Sequence, residues 1–122
     1  MYKDESYNII GACMAVHSQL GHGFLEAVYQ EALDREFFKR KIPVESQQKL
    51  NIYYDCERLK KYYVADFVCY NSIVVEIKAS SYFGKSQFEQ TSNYLKAINH
   101  KLGLLVNFGT ASLTSKRIIN PS

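Results

Sequence analysis

The chain has 122 residues, 47% of them hydrophobic and 22% charged, which is the size of one domain. A domain of this length buries about two thirds of the surface its unfolded chain exposes, and an aromatic content of 14% with only 6 Gly and 2 Pro excludes disorder. The net charge of +3 is a mild excess that by itself declares no partner.

The first predicted element is a helix over residues 6–20, with Tyr7, Ile10, Met14 or Cys13, and His17 or Val16 at three-to-four spacing. Its apolar run from Ile9 to Val16 falls far short of the ~20 residues a membrane span needs. The start, Met1-Tyr2-Lys3-Asp4-Glu5, carries acids where an export signal carries base, so a cytoplasmic location and no membrane partner are expected. Gly21-His22-Gly23 breaks the helix. A second helix follows from about Phe24 to Lys41, with an apolar stripe of Leu25, Val28, Tyr29, Ala32, Leu33 and Phe37, and Pro43 stops it.

The pattern then changes period. Val44 to Tyr54 alternates as a strand, Asp55-Cys56-Glu57-Arg58 reads as a turn, and Lys61 to Tyr70 and Ile73 to Ala79 read as two more strands. In these two, Ala65, Phe67, Cys69, Ile73, Val75 and Ile77 fall on one face, and Val64, Val68 and Val74 on the other. Strands apolar on both faces belong in the middle of a covered sheet. Ser86-Gln87-Phe88-Glu89 reads as a capping box opening a third helix to about His100, with Phe88, Thr91, Tyr94, Leu95 and Ile98 inward. Leu104 to Phe108 is a fourth strand, and Lys116 to Ile119 a short edge strand. The order ααβββαβ(β) gives an α/β fold with a mixed central sheet flanked by helices, in a single domain over residues 1–122. Cys13, Cys56 and Cys69 show no CxxC spacing and are expected to be buried apolar side chains; His17, His22 and His100 lack ligand spacing.

The informative residues are charges inside that core. Asp66 follows Ala65, and Glu76 and Lys78 lie two apart in Ile73-Val74-Val75-Glu76-Ile77-Lys78, hence on one face. Buried charge costs several kcal/mol without partners or a bound ion. A two-residue Asn71-Ser72 loop would pair 66 with 77 and turn Asp66 away. A three-residue Tyr70-Asn71-Ser72 loop pairs 66 with 76 and gathers all three charges, and this is the register expected. Two carboxylates beside a lysine suit a hard divalent cation such as Mg2+ or Mn2+; they also suit a structural ion-pair cluster. Glu26, three residues before Tyr29, is either a first-turn acid favouring the helix dipole or a third carboxylate aimed at the sheet. Gln90 and Tyr94 share one face of the third helix.

Gly23-Phe-Leu-Glu26-Ala-Val-Tyr29, Ala65-Asp66, Glu76-Ile77-Lys78 and Gln90-Thr-Ser-Asn-Tyr94, in that order, resemble the GxxExxY protein family of the PD-(D/E)XK nuclease superfamily. The resemblance runs from about Tyr7 to Lys116-Arg117, with Ala65 standing where the superfamily's name has Pro. It implies a restriction-endonuclease-like core and magnesium-dependent hydrolysis of phosphodiester bonds, with nucleic acid, DNA foremost, as partner. By resemblance Asp66 and Glu76 are metal ligands, with the Ile77 carbonyl a third and Glu26 the helix-borne acid that joins them in catalysis and ligation. Lys78 orients the nucleophilic water. Gln90 and Tyr94 match a QxxxY element near metal or substrate phosphate.

Basic clusters lie at Arg58, Lys60 and Lys61, at Arg35 with Lys39-Arg40-Lys41, and at Lys116-Arg117. Lys85, between the catalytic strand and the third helix, is the base best placed to meet a backbone phosphate. Two other readings stand beside the nuclease: a catalytically silent module that binds nucleic acid or protein on the same fold, and a self-associating domain whose charges are structural. A homodimer is compatible with the small footprint of such a chain on duplex.

Overall fold

The computed structural model describes residues 2–82, 84–98 and 100–120. Helices α1 (Lys3–Leu20) and α2 (Glu26–Lys39) precede strands β1 (Val44–Tyr54), β2 (Glu57–Cys69) and β3 (Ile73–Lys78); α3 (Lys85–Ala97), β4 (Leu102–Asn107) and β5 (Thr114–Ile119) complete the chain. The sheet runs β1-β2-β3-β4-β5. Only β3 and β4 are parallel, and α3 is the crossover between them. This is the mixed sheet flanked by helices that the sequence order implied, with β5 at an edge.

Two apolar clusters hold the layers. On one face Ile9, Ala12, Cys13 and Val16 of α1 and Tyr29, Leu33 and Phe37 of α2 pack against Phe67, Ile73, Val75 and Ile77. On the other, Leu95 and Ile98 pack against Val68, Val74 and Leu105. The buried stripes differ from those expected. Tyr7 (79%) and Met14 (58%) are exposed, because a continuous apolar run does not mark its own buried side. Leu25, the N-cap of α2, and Val28 in its first turn are exposed as well. The third helix ends at Ala97; its predicted extension includes Asn99, which lies outside the described residues. Its cap lies two residues earlier than expected. Gly84 is the N-cap, its N–H donates to Gln87 Oε1 at 2.8 Å, and Ser86 is already helical.

Asp55 and Cys56, with φ of 53° and 63°, form the tight two-residue turn between β1 and β2, narrower than the four residues expected. This places Cys56 in solvent, contrary to the expectation that all three cysteines are buried. Burial pushes the Cys69 thiol up to about 12 and raises Cys13 further, the second thiol adding to the effect. One thiol, Cys56, is therefore expected to react with a disulfide reagent in the native protein, and all three after unfolding. Fast native reaction of two or three would contradict this burial.

Candidate active site

The register between β2 and β3 decides what meets at the sheet's open end. Cys69 pairs with Ile73, Val68 with Val74 and Phe67 with Val75, across the three-residue connection that was expected. The backbone ladder stops there. At the next position the carboxylates take over. Asp66 N–H donates to Glu76 Oε1 at 3.2 Å, and Ile77 N–H donates to Asp66 Oδ2 at 2.8 Å. The two acids thus interlock across the two strands where the ladder has opened.

Upstream of this point β2 changes face. Ala65 packs in the α3-side cluster with Val68 and Val74, not with Phe67 and Cys69 as strict alternation requires. Opposite this point, Gln47 on β1 has a φ of 54° and drops out of the pairing between Ser46↔Phe67 and Gln48↔Ala65. The shift brings Tyr63 to the site. Tyr63 lies beside Glu76 and each affects the other's ionisation, and its ring stacks on Tyr94 at 4.2 Å and 19°. Tyr63 was not anticipated, since its approach depends on this break in alternation.

Glu76 is only 8% exposed, and burial together with Asp66 pushes its carboxyl up to about 8. Burial and the adjacent Glu76 likewise raise the Tyr63 hydroxyl. Glu26 is held above its ordinary range by burial; Lys78 opposes the shift and Asp66 adds to it, so Glu26 feels both groups. Lys78 ends β3 one same-face step beyond Glu76. Gln30, four residues after Glu26 on α2, donates from Nε2 to the Asp66 carbonyl at 3.2 Å and ties that helix to the acidic strand. The 26/30 spacing was the signal that could have found it.

The start of α2 is fixed by Tyr29. Its ring is fully buried and stacks on Phe108 at 4.8 Å. Its hydroxyl donates to the Gly21 carbonyl at 2.6 Å and accepts from Phe24 N–H at 3.3 Å. Gly23 turns the chain between them at φ +107°, a conformation costly for other residues. The Gly-x-x-Glu-x-x-Tyr spacing is therefore a loop pinned from one helical turn downstream, with Glu26 at the pinned helix start.

Gln90 and Tyr94 line a groove of about 530 Å³ between α3 and β1, shared with Ile52, Ser86 and Asn93. Tyr94 reaches the carboxylates through Tyr63. Lys85 lies apart, exposed and paired with Glu89 at 3.7 Å. At the far end of β3, buried Asn107 accepts from Ser80 N–H at 3.0 Å and from Gly109 N–H at 3.1 Å, and donates to the Ser80 carbonyl at 2.8 Å. This clasp fixes the exit of the strand bearing Glu76 and Lys78.

The donor set suits a divalent cation. Two carboxylates converge, one of them buried, and no ion pair among the described residues neutralises either. No group of three or more His, Cys, Asp or Glu side chains gathers into a cage among the described residues, so Glu26 is near the pair without closing it. Magnesium, which keeps several waters, is commonly held by one or two carboxylates.

The sequence profile of the PD-(D/E)XK nuclease superfamily matches residues 3–118. The chain belongs to that superfamily. The crystal structure of SSO0001 superposes with a TM-score of 0.62 at 19% identity, over 99% of this chain and 61% of that one, a likeness of fold. This chain thus spans about three fifths of that protein's length. No curated protein matches it. PD-(D/E)XK nucleases generally use divalent metals and act on nucleic acid. Among the described residues no helix is long and apolar enough to cross a membrane.

Proposed function

We propose that the chain is a magnesium-dependent nuclease of the GxxExxY kind, hydrolysing phosphodiester bonds of DNA. The observation that carries this reading is the interlocked Asp66–Glu76 pair, with Glu76 buried, Asp66 half-buried, neither in a salt bridge among the described residues, and Lys78 following on the same face. Asp66 and Glu76, with the Ile77 carbonyl, would hold the ion, and Glu26 would approach it from α2. The ion, Mg2+ or Mn2+, would supply charge to the phosphoryl group and acidify a bound water. Lys78 donates to the attacking water or to a phosphoryl oxygen and offsets the charge that develops there. Tyr63, backed by the stacked Tyr94 ring, would steady the Glu76 carboxylate from the α3 side. Gln90 and Lys85 offer an amide and an ammonium to the substrate backbone beyond the scissile bond.

The test is cleavage of duplex, single-stranded and branched DNA in Mg2+ and in Mn2+. Asp66→Ala and Glu76→Ala are expected to reduce cleavage to background. Lys78→Ala should lose roughly 10²–10³-fold, the usual cost of one charge-stabilising donor. Equal cleavage by wild type and Asp66→Ala would remove the proposal.

A further inference from the structure

Beyond the carboxylate pair, β1 and β2 continue as a two-stranded arm. The β3 partner covers only Phe67 to Cys69, whereas β2 starts at Glu57. Within the arm Lys49 faces Val64 and, past a register irregularity between Asn51 and Tyr53, Tyr53 faces Arg58; alternation along β2 puts Val64, Tyr62, Lys60 and Arg58 on one side, and Lys49 and Tyr53 join it as their partners. All six are exposed. Between Lys49 and Val64 this side carries three bases, two tyrosines and no acid; Glu57 falls on the opposite side, and Asp55 in the turn. No salt bridge among the described residues engages the three bases; Lys49 instead lies over the Tyr62 ring at 4.3 Å. An exposed Tyr53 ring, 56% accessible, and a Tyr62 ring backed by an ammonium are flat π surfaces set among positive charges.

We infer that this side of the arm binds single-stranded nucleic acid, its bases stacking on Tyr53 and Tyr62 and its phosphates lying against Lys49, Arg58 and Lys60. Paired bases keep their faces inside the helix, so tyrosines on an open sheet surface find stacking partners only on an unpaired strand. The arm is continuous with the strand bearing Asp66, so a strand held there leads toward the carboxylates. The inference rests on the nuclease reading and names the form of substrate it takes.

The experiment measures binding of a single-stranded and a duplex oligonucleotide in chelator, where no cleavage occurs, across a salt series. The chain has 10 tyrosines and no tryptophan, so its own tyrosine emission reports stacking. Single strand is expected to bind more tightly than duplex and to quench that emission. Tyr53→Ala and Tyr62→Ala should each weaken it by roughly 5- to 150-fold, and Tyr62→Phe, which keeps the ring, should restore it. Replacing Lys49, Arg58 and Lys60 by Gln should flatten the logarithmic salt slope by about 2. Unchanged binding in the tyrosine variants, or duplex preferred over single strand, overturns the inference. Metal-dependent cleavage that survives with unchanged KM in those variants overturns it while leaving the nuclease reading intact. Wild-type protein that neither cleaves nor binds Mn2+ overturns the nuclease reading instead.

Discussion

Glu76→Gln is expected to be more stable than the wild-type protein in chelator at pH 8, and to cleave nothing. Glu76 is buried against Asp66, and its carboxyl is pushed from the ordinary 4.5 up to about 8. The folded chain therefore holds a proton that the unfolded chain has released. Stability is fully present below about 4.5 and is lost as pH rises through about 8, because the native state binds more protons across that window. Glu26, raised in the same direction, adds to the slope. Glutamine keeps the shape but carries no charge, so most of the slope should vanish. Magnesium should raise the wild-type melting temperature by binding the folded form, and leave the variant's unmoved. Melting curves from pH 5 to 8, with chelator and with Mg2+, check all of this. A variant no more stable than wild type at pH 8 in chelator would contradict the uncompensated burial of Glu76.

Tyr29 offers the largest structural effect. Tyr29→Ala removes a fully buried ring stacked on Phe108 and should cost about 3–5 kcal/mol. Tyr29→Phe keeps the ring but deprives the Gly21 carbonyl and Phe24 N–H of their partner, a loss of about 1–3 kcal/mol. The two variants separate packing from positioning. If the hydroxyl fixes the start of α2, cleavage by Tyr29→Phe at a temperature where it remains folded should fall, since Glu26 is the first residue of the released helix. Urea unfolding alongside single-turnover cleavage distinguishes the outcomes. Full activity in Tyr29→Phe would mean that the loop needs no such pin.

The meeting of Asp66 with Glu76 could be read from the chain because a strand's period of two leaves few choices: one residue more or less in the connection turns Asp66 to the other face. Glu76 and Lys78 were visible for the same reason. Ala65 and Tyr63 were not, because β2 breaks strict alternation near Asp66, opposite the left-handed Gln47, and no local pattern in β2 records the break. The spacing of Gly23, Glu26 and Tyr29 was legible, but its purpose was not: the hydroxyl reaches back across the helix start to a carbonyl eight residues earlier. Tyr7, Met14 and Val28 were misplaced because helical periodicity reports an apolar stripe and says nothing of which part of it a neighbour will cover.

The turn at Asp55 and Cys56 has a practical consequence. Both residues sit in left-handed conformations that glycine or asparagine would occupy more cheaply, and the second carries the exposed thiol among three. The tip of the arm is thus a natural attachment point, addressable with a spin label or fluorophore without engineering a new cysteine. A paramagnetic Mn2+ held at the carboxylates would make the label a ruler, reading the separation between the arm's end and the metal as nucleic acid is added.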